Sequence, residues 1–273
     1  MLLGLEVPVF GAISASRAIE LGAARVELNA SGSYPAGGLT PTIECLEDVA
    51  DANVPLRIMI RPRGPPPPNA AGRDFVYSAE EIDQMDASIR CFKATGLLKL
   101  ERGDGFVFGA LREDTSPSIK PGGRNRCRVD KDACKDLVET ARPFKAVFHR
   151  AYDEIVSCDE RSPDKERAAW EMGLDDIVEC GFDAVLTSGG LGHAAQNIPT
   201  LGKIIAKARD LGAEIIVGGG VRRHNVGEMV HQLNLKESTS VSHVHSACLD
   251  NPESLEIDGE ELTAILSALK DTV

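Results

Sequence analysis

Eight short apolar runs alternate strictly with eight longer segments of helical character, which predicts an α/β fold, a single (β/α)8 barrel over residues 1–273. Two further observations agree with it. A length of 273 residues suits one such barrel. Polar and charged residues also gather just after the apolar runs, at the face where these barrels bind ligands. A doubly wound open sheet fits less well, since no Gly-x-Gly-x-x-Gly follows the first run.

The first run is Leu2–Val9, followed by a helix from about Ser14 to Leu21 that Ser14 or Ser16 is placed to cap. Arg25–Leu28 is the second run. The turn Ala36-Gly37-Gly38 and a helix near Thr42–Ala52 follow it, with Thr40 and Pro41 as start signals. Leu56–Ile60 precedes a helix over Ser78–Thr95, where Ser78 and Glu81 have capping-box spacing. Gly105–Phe108 pairs with a helix at Lys131–Ala141, and Lys145–Phe148 with one from about Pro163 to Cys180. Ala184–Leu186 precedes Ile198–Leu211, Glu214–Val217 precedes Asn225–Leu233, and Ser240–Val244 precedes a closing helix at Glu260–Leu269. Two stretches break this rhythm. Pro65–Pro68 stiffens a loop, and Arg112–Arg128, rich in Ser, Pro, Gly and Arg, reads as a long rim loop, either a lid or a tolerated insertion.

Composition narrows the function classes. A net charge of −12 argues against a general nucleic-acid binder, which needs a basic surplus to displace phosphate counterions. No apolar segment approaches the length needed to span a bilayer. Met1–Glu6 shows none of the marks of a signal peptide, and the 7 cysteines are scattered without a Cys-x-x-Cys pair. Both features lead to an expected cytoplasmic location with reduced thiols. A homo-oligomer is compatible with all of this.

The predicted strand ends carry the chemistry. Glu6 lies in the first run, and Glu27 and Asn29 flank the end of the second. Arg61 and Arg63 follow the third, suited either to gripping a carboxylate or phosphate or to bracing loops. His149, Arg150 and Asp153 follow the fifth, Thr187 and Ser188 end the sixth, and Gly218-Gly219-Gly220 ends the seventh. His245 and Ser246 close the eighth. A small anionic ligand would bind Glu6, Asn29, Arg61, Arg63, Arg150, Ser188 and His245, with a phosphate at Gly219 and Gly220. Glu27, His149 and Asp153 are the candidates for acid–base catalysis. A metal ion is the other candidate ligand: His243, His245 and Cys248 are donors that suit copper or zinc. No nucleophile elbow, Walker loop or His-Glu-x-x-His motif is present.

The same residues carry a family resemblance. Leu5-Glu6-Val7, Arg25-Val26-Glu27-Leu28, Gly37-Gly38-Leu39-Thr40-Pro41 and Met59-Ile60-Arg61-Pro62-Arg63-Gly64 run in order along the chain. Asp74–Ser78, Gly105–Gly109, Phe148–Asp153, Leu186–Gly190, Gly218–Val221 and Val244–Ser246 continue the series. In these blocks the chain resembles the CutC family of copper homeostasis proteins. The resemblance implies a (β/α)8 barrel, a cytosolic setting and a role in copper handling, with copper as the implied cofactor. Family members commonly carry cysteine just after the first strand's Glu and after the second strand's Glu-Leu. This chain has Pro8 or Val9, and Asn29, at those places, which predicts weak copper binding or binding elsewhere. The alternative is a barrel enzyme acting on a small anionic substrate.

Overall fold

In a computed structural model, which describes residues 3–67, 72–114, 126–158, 167–249 and 256–270, eight parallel strands close into a barrel. Six β-strands come first in the chain: β1 Gly4–Val9, β2 Arg25–Leu28, β3 Leu56–Met59, β4 Gly105–Phe108, β5 Leu111–Asp114 and β6 Arg126–Val129. Four more are β7 Lys145–Phe148, β8 Ala184–Thr187, β9 Glu214–Gly218 and β10 Val241–His245. The barrel order is β1-β10-β9-β8-β7-β4-β3-β2, so the last strand closes against the first. Helices α1 Ala12–Glu20, α2 Ile43–Glu47, α3 Ala79–Ala94 and α4 Lys131–Ala141 belong to the first half. The second half adds α5 Ala151–Ser157, α6 Ala169–Glu179, α7 Ile198–Leu211, α8 Val226–Gln232 and α9 Gly259–Lys270.

Each expected strand forms, three with the expected ends and five with an end shifted by one or two residues. Three helix starts differ from expectation. Ser14 and Ser16 lie inside α1, which begins after Gly11. Thr40 caps no helix; its hydroxyl bonds the backbone N–H and C=O of Arg61 and so ties the end of β2 to the end of β3. Asn225 precedes α8, but its side chain holds the Gly220–Arg222 turn, donating to Gly220 O and accepting from Arg222 N. The Ser78–Glu81 capping box forms as expected.

Two segments were read differently from the sequence. Of the expected helix over Pro163–Cys180, residues 163–166 lie outside the described residues and Ala169–Glu179 forms α6, while a separate short helix, α5, starts soon after β7. The arms of the Arg112–Arg128 stretch are strands: Leu111–Asp114 pairs antiparallel with Arg126–Val129 as a hairpin beside the barrel. Its tip, residues 115–125, and Pro68 lie outside the described residues.

Alternation along the strands sorts side chains into two layers. Leu56, Ile58 and Ile60 of β3 and its end, with Val185, Ile215 and Val217, join the main core between barrel and helices. A separate cluster of Met59, Val107, Val147, Ala184, Leu186 and Ile216 fills the inside on β3, β4, β7, β8 and β9. Beside it, β10, β1 and β2 carry Glu6, Arg25, Glu27, His243 and His245. The barrel interior is therefore mainly apolar along β3, β4, β7, β8 and β9, although Arg57 and Glu214 share the inward faces of Met59 and Ile216, and ionic along β10, β1 and β2.

Candidate functional site

Register places the ionic residues together. Glu6 lies opposite His245 on one side and Arg25 on the other, while Glu27 lies opposite Pro8. One Glu6 carboxylate oxygen accepts from Arg25 Nε, and the other lies 2.7 Å from His245 Nδ1. Arg25 also reaches Glu214 at 3.4 Å. Glu27 accepts from Asn29 Nδ2 at 3.1 Å through Oε1, whereas its buried Oε2 and Asn29 Oδ1 have no protein partner. Donor atoms of Glu6, Glu27 and His245 lie within 4.8 Å of one another.

Burial and neighbouring charge divide the two carboxyls. Burial pushes Glu6 up, but Arg25 and then His245 outweigh it, and the carboxyl ends far below the usual range. Burial also pushes Glu27 up, and His245 offsets only part of that rise. His245 is pushed down by burial, yet its bond to Glu6 and the charges of Glu27 and Glu6 raise it overall. This pocket can thus hold or pass a proton between an ionised acid, an imidazole and a carboxyl of raised pKa.

The other expected site residues fall into separate groups. Arg61 turns into the protein: it donates to Ala36 O, to Gly38 O at 3.1 Å, and to both Asp74 oxygens at 3.0 Å, beneath the Phe75 ring. Arg63 donates to Glu81 at 2.5 Å and Val76 O at 2.6 Å, over Tyr77. Both guanidiniums brace loops.

His149 is buried against Phe75 and Phe148, accepts from Ala151 N at 3.3 Å through Nδ1, and leaves Nε2 unpartnered. Burial, then Arg61, pushes its pKa down to about 3, so the ring stays neutral. Asp153 does not orient it. Its carboxylate accepts from Thr187 Oγ1 at 2.5 Å, Ser188 Oγ at 2.7 Å and Arg150 Nε at 2.8 Å. Arg150 also donates to Ser188 Oγ at 2.8 Å. That network ties the start of α5 to the end of β8.

The triple glycine serves close packing against protein groups. A Cβ on Gly219 would stand 2.8 Å from Ser188 Cβ and 3.2 Å from Arg150 Cζ, and one on Gly220 would strike His193. The expected set His243, His245 and Cys248 does not converge. His243 contacts Ser242 Oγ at 2.6 Å and lies near Glu214, one layer closer to the strand starts. Cys248 is fully buried in the main core, and burial pushes its thiol up to about 12. Only His245 joins the carboxylates.

Arg25 was absent from the expected site, although its place two residues before Glu27 puts both on one strand face. His193, which covers Gly220, carried no comparable signal because its contact exists only across a fold of the chain.

The CutC family profile matches residues 3–249. The chain belongs to the CutC family. It is 34% identical to the human copper homeostasis protein cutC homolog over 225 residues, 81% of this chain and 67% of the relative. It is 32% identical to a CutC family protein of Agrobacterium fabrum over 256 residues, 92% and 82% of the two chains. The crystal structure of a copper homeostasis protein CutC from Streptococcus agalactiae superposes with a TM-score of 0.66 at 24% identity, covering 90% of this chain and 99% of that one. That likeness shows the same barrel.

The ionic cluster of this CutC protein does not fit Cu(I). Soft Cu(I) prefers thiolate, thioether and imidazole donors, whereas carboxylates suit harder ions. No cysteine sulfur joins Glu6, Glu27 and His245 among the described residues, and Arg25 already occupies a Glu6 oxygen.

Proposed function

We propose that this chain works in copper homeostasis in the cytoplasm, as a protein that handles copper without using its barrel interior as the Cu(I) site. The observation that carries the reading is the match to the CutC family across residues 3–249, with relatives named as copper homeostasis proteins. The acidic, thiol-free interior supports its second half. No helix among the described residues is long and apolar enough to cross a membrane. Anaerobic titration of the purified protein with Cu(I) against a competing chelator tests the reading. Stoichiometric, tight uptake is expected, and its absence removes the reading.

A second reading has its own support in Glu6 and Glu27, two buried carboxyls on adjacent strands whose pKa values move in opposite directions. Such a pair suits proton transfer on a small anionic substrate, with Glu27 as proton carrier beside His245. Arg150, 40% exposed at the rim although it also bonds Asp153 and Ser188, is the cation of the expected set that this reading assigns to the substrate's acidic group. Thermal-shift screening against small carboxylates and phosphates tests this. A ligand that stabilises the wild type and fails on Glu27→Gln supports it; a panel without any such ligand removes it.

A further inference from the structure

We infer that Cys127 and Cys158 form a two-thiolate Cu(I) site, outside the barrel interior, whose charge is balanced by Arg73. The inference rests on the copper-homeostasis reading and names where the ion goes. Cys127 lies on β6 of the hairpin and is buried; Cys158 ends α5 and is partly exposed. The two thiols interact side by side, although they stand 31 positions apart in sequence, because α5 packs against β6. Arg73 brings its guanidinium to the pair: Nη2 lies 3.6 Å from Cys158 Sγ and 2.8 Å from Glu154 Oε2.

The chemistry selects the ion. Two thiolates satisfy Cu(I), which accepts few, soft ligands, whereas zinc takes four. No third histidine, cysteine or carboxylate among the described residues completes a larger donor set with this pair. On binding, each thiol releases its proton to solvent and two S–Cu bonds form while the copper stays Cu(I). The resulting S–Cu–S unit carries one negative charge, and the Arg73 guanidinium is in contact to neutralise it. Glu154 keeps that guanidinium in place. The partly exposed Cys158 offers the entry point that Cys134 and Cys248, both fully buried, do not.

This assignment also fits the sequence of the barrel interior. The inward site is acidic, and no thiol joins it among the described residues. A chain that handles Cu(I) then needs its thiolates elsewhere, and this pair supplies them.

The test is anaerobic Cu(I) titration against a competing chelator for the wild type, Cys127→Ser/Cys158→Ser, Arg73→Gln and the control Cys91→Ser, each checked for folding by circular dichroism. One equivalent of Cu(I) is expected for the wild type and for C91S. The double variant is expected to weaken binding by more than about 100-fold, beyond the loss of an outer partner alone, and R73Q by about 10-fold. In the wild type, Cu(I) should block alkylation of Cys158 in peptide mapping, and X-ray absorption should show two sulfur neighbours. This mapping needs no variant to fold. If the wild type binds copper while the folded double variant keeps full affinity, or if Cys158 stays reactive under Cu(I), the site is overturned and the copper reading stands. If the wild type takes up no Cu(I), both fall together.

Discussion

His245 Nδ1 lies 2.7 Å from Glu6 Oε1, across the register that joins the last barrel strand to the first. Their positions differ by 239, so this contact exists only when the barrel is closed. Glu6 is at the same time the close partner of Arg25, and removing its charge leaves the buried guanidinium with only the longer 3.4 Å contact to Glu214. Glu6→Gln is expected to cost about 3–5 kcal/mol, the range for breaking a buried ion pair by deleting one partner. Urea unfolding measures it; a loss below about 1 kcal/mol would show that the pair contributes little. The pH dependence has two signs. The lowered Glu6 contributes above the ordinary carboxylate pKa and loses that contribution as pH falls through its folded value. The raised His245 contributes below the ordinary imidazole pKa and loses it as pH rises through its folded value. The pair therefore stabilises most strongly between those two ordinary pKa values, a window that E6Q should abolish.

His149 gives a separate acid limb. Its pKa falls from 6.5 to about 3 on folding, so its neutral form contributes stability above pH 6.5. That contribution is lost as pH falls from 6.5 towards 3, an effect on the order of a few kcal/mol. His149→Gln should flatten the stability profile over this interval, measured by denaturant unfolding at a series of pH values. An unchanged slope would place the acid sensitivity elsewhere.

Gly219 and Gly220 both have positive φ, of 97° and 69°, but their surroundings differ. At Gly220 the obstructing atom belongs to the exposed His193 side chain, which can swing away. At Gly219 it is Ser188 Cβ, held by the Asp153 network. Gly220→Ala should cost about 1–2 kcal/mol for the left-handed backbone, and Gly219→Ala clearly more. Thermal denaturation of the two variants gives the order, and equal losses would refute the distinction.

Arg61→Lys keeps the charge but cannot hold both Asp74 oxygens and two loop carbonyls at once. A destabilisation of about 1–3 kcal/mol is expected, comparable with losing charge-assisted hydrogen bonds. If the lysine variant is as stable as the wild type, the guanidinium is not bracing the loops and is available to a ligand.

Much of the architecture was legible in the chain. Apolar runs three to eight residues long, each followed by a helical stretch, lead to a parallel barrel because local periodicity and the need to bury both faces of a parallel sheet leave few alternatives. Breaks in that reading occurred where polar composition masked structure. Arg112, Glu113, Asp114, Arg126 and Arg128 look like a loop, yet their backbones pair as a hairpin whose solvent-facing side chains are free to be charged. Likewise α5 is too short to show a helical period of its own.

The site divides along the same physical line. That Glu6 lies within the first strand and Glu27, His149 and His245 at or near strand ends follows from local pattern, and so does the absence of thiols at Pro8, Val9 and Asn29. Where each polar group spends its hydrogen bonds is set by cross-strand register and by loops from distant parts of the chain. Arg61 was equally suited to a ligand or to Asp74, and only the closed loop brings Asp74 within 3.0 Å. His243 and His245 are alike in sequence, but barrel depth gives one to Glu214 and the other to Glu6. Pattern along one strand carries no information about its neighbour's register, which closure of the barrel supplies. Packing of the hairpin against α5 brings together Cys127 of β6 and Cys158 at the end of α5, whose spacing in the chain gave no sign of a pair.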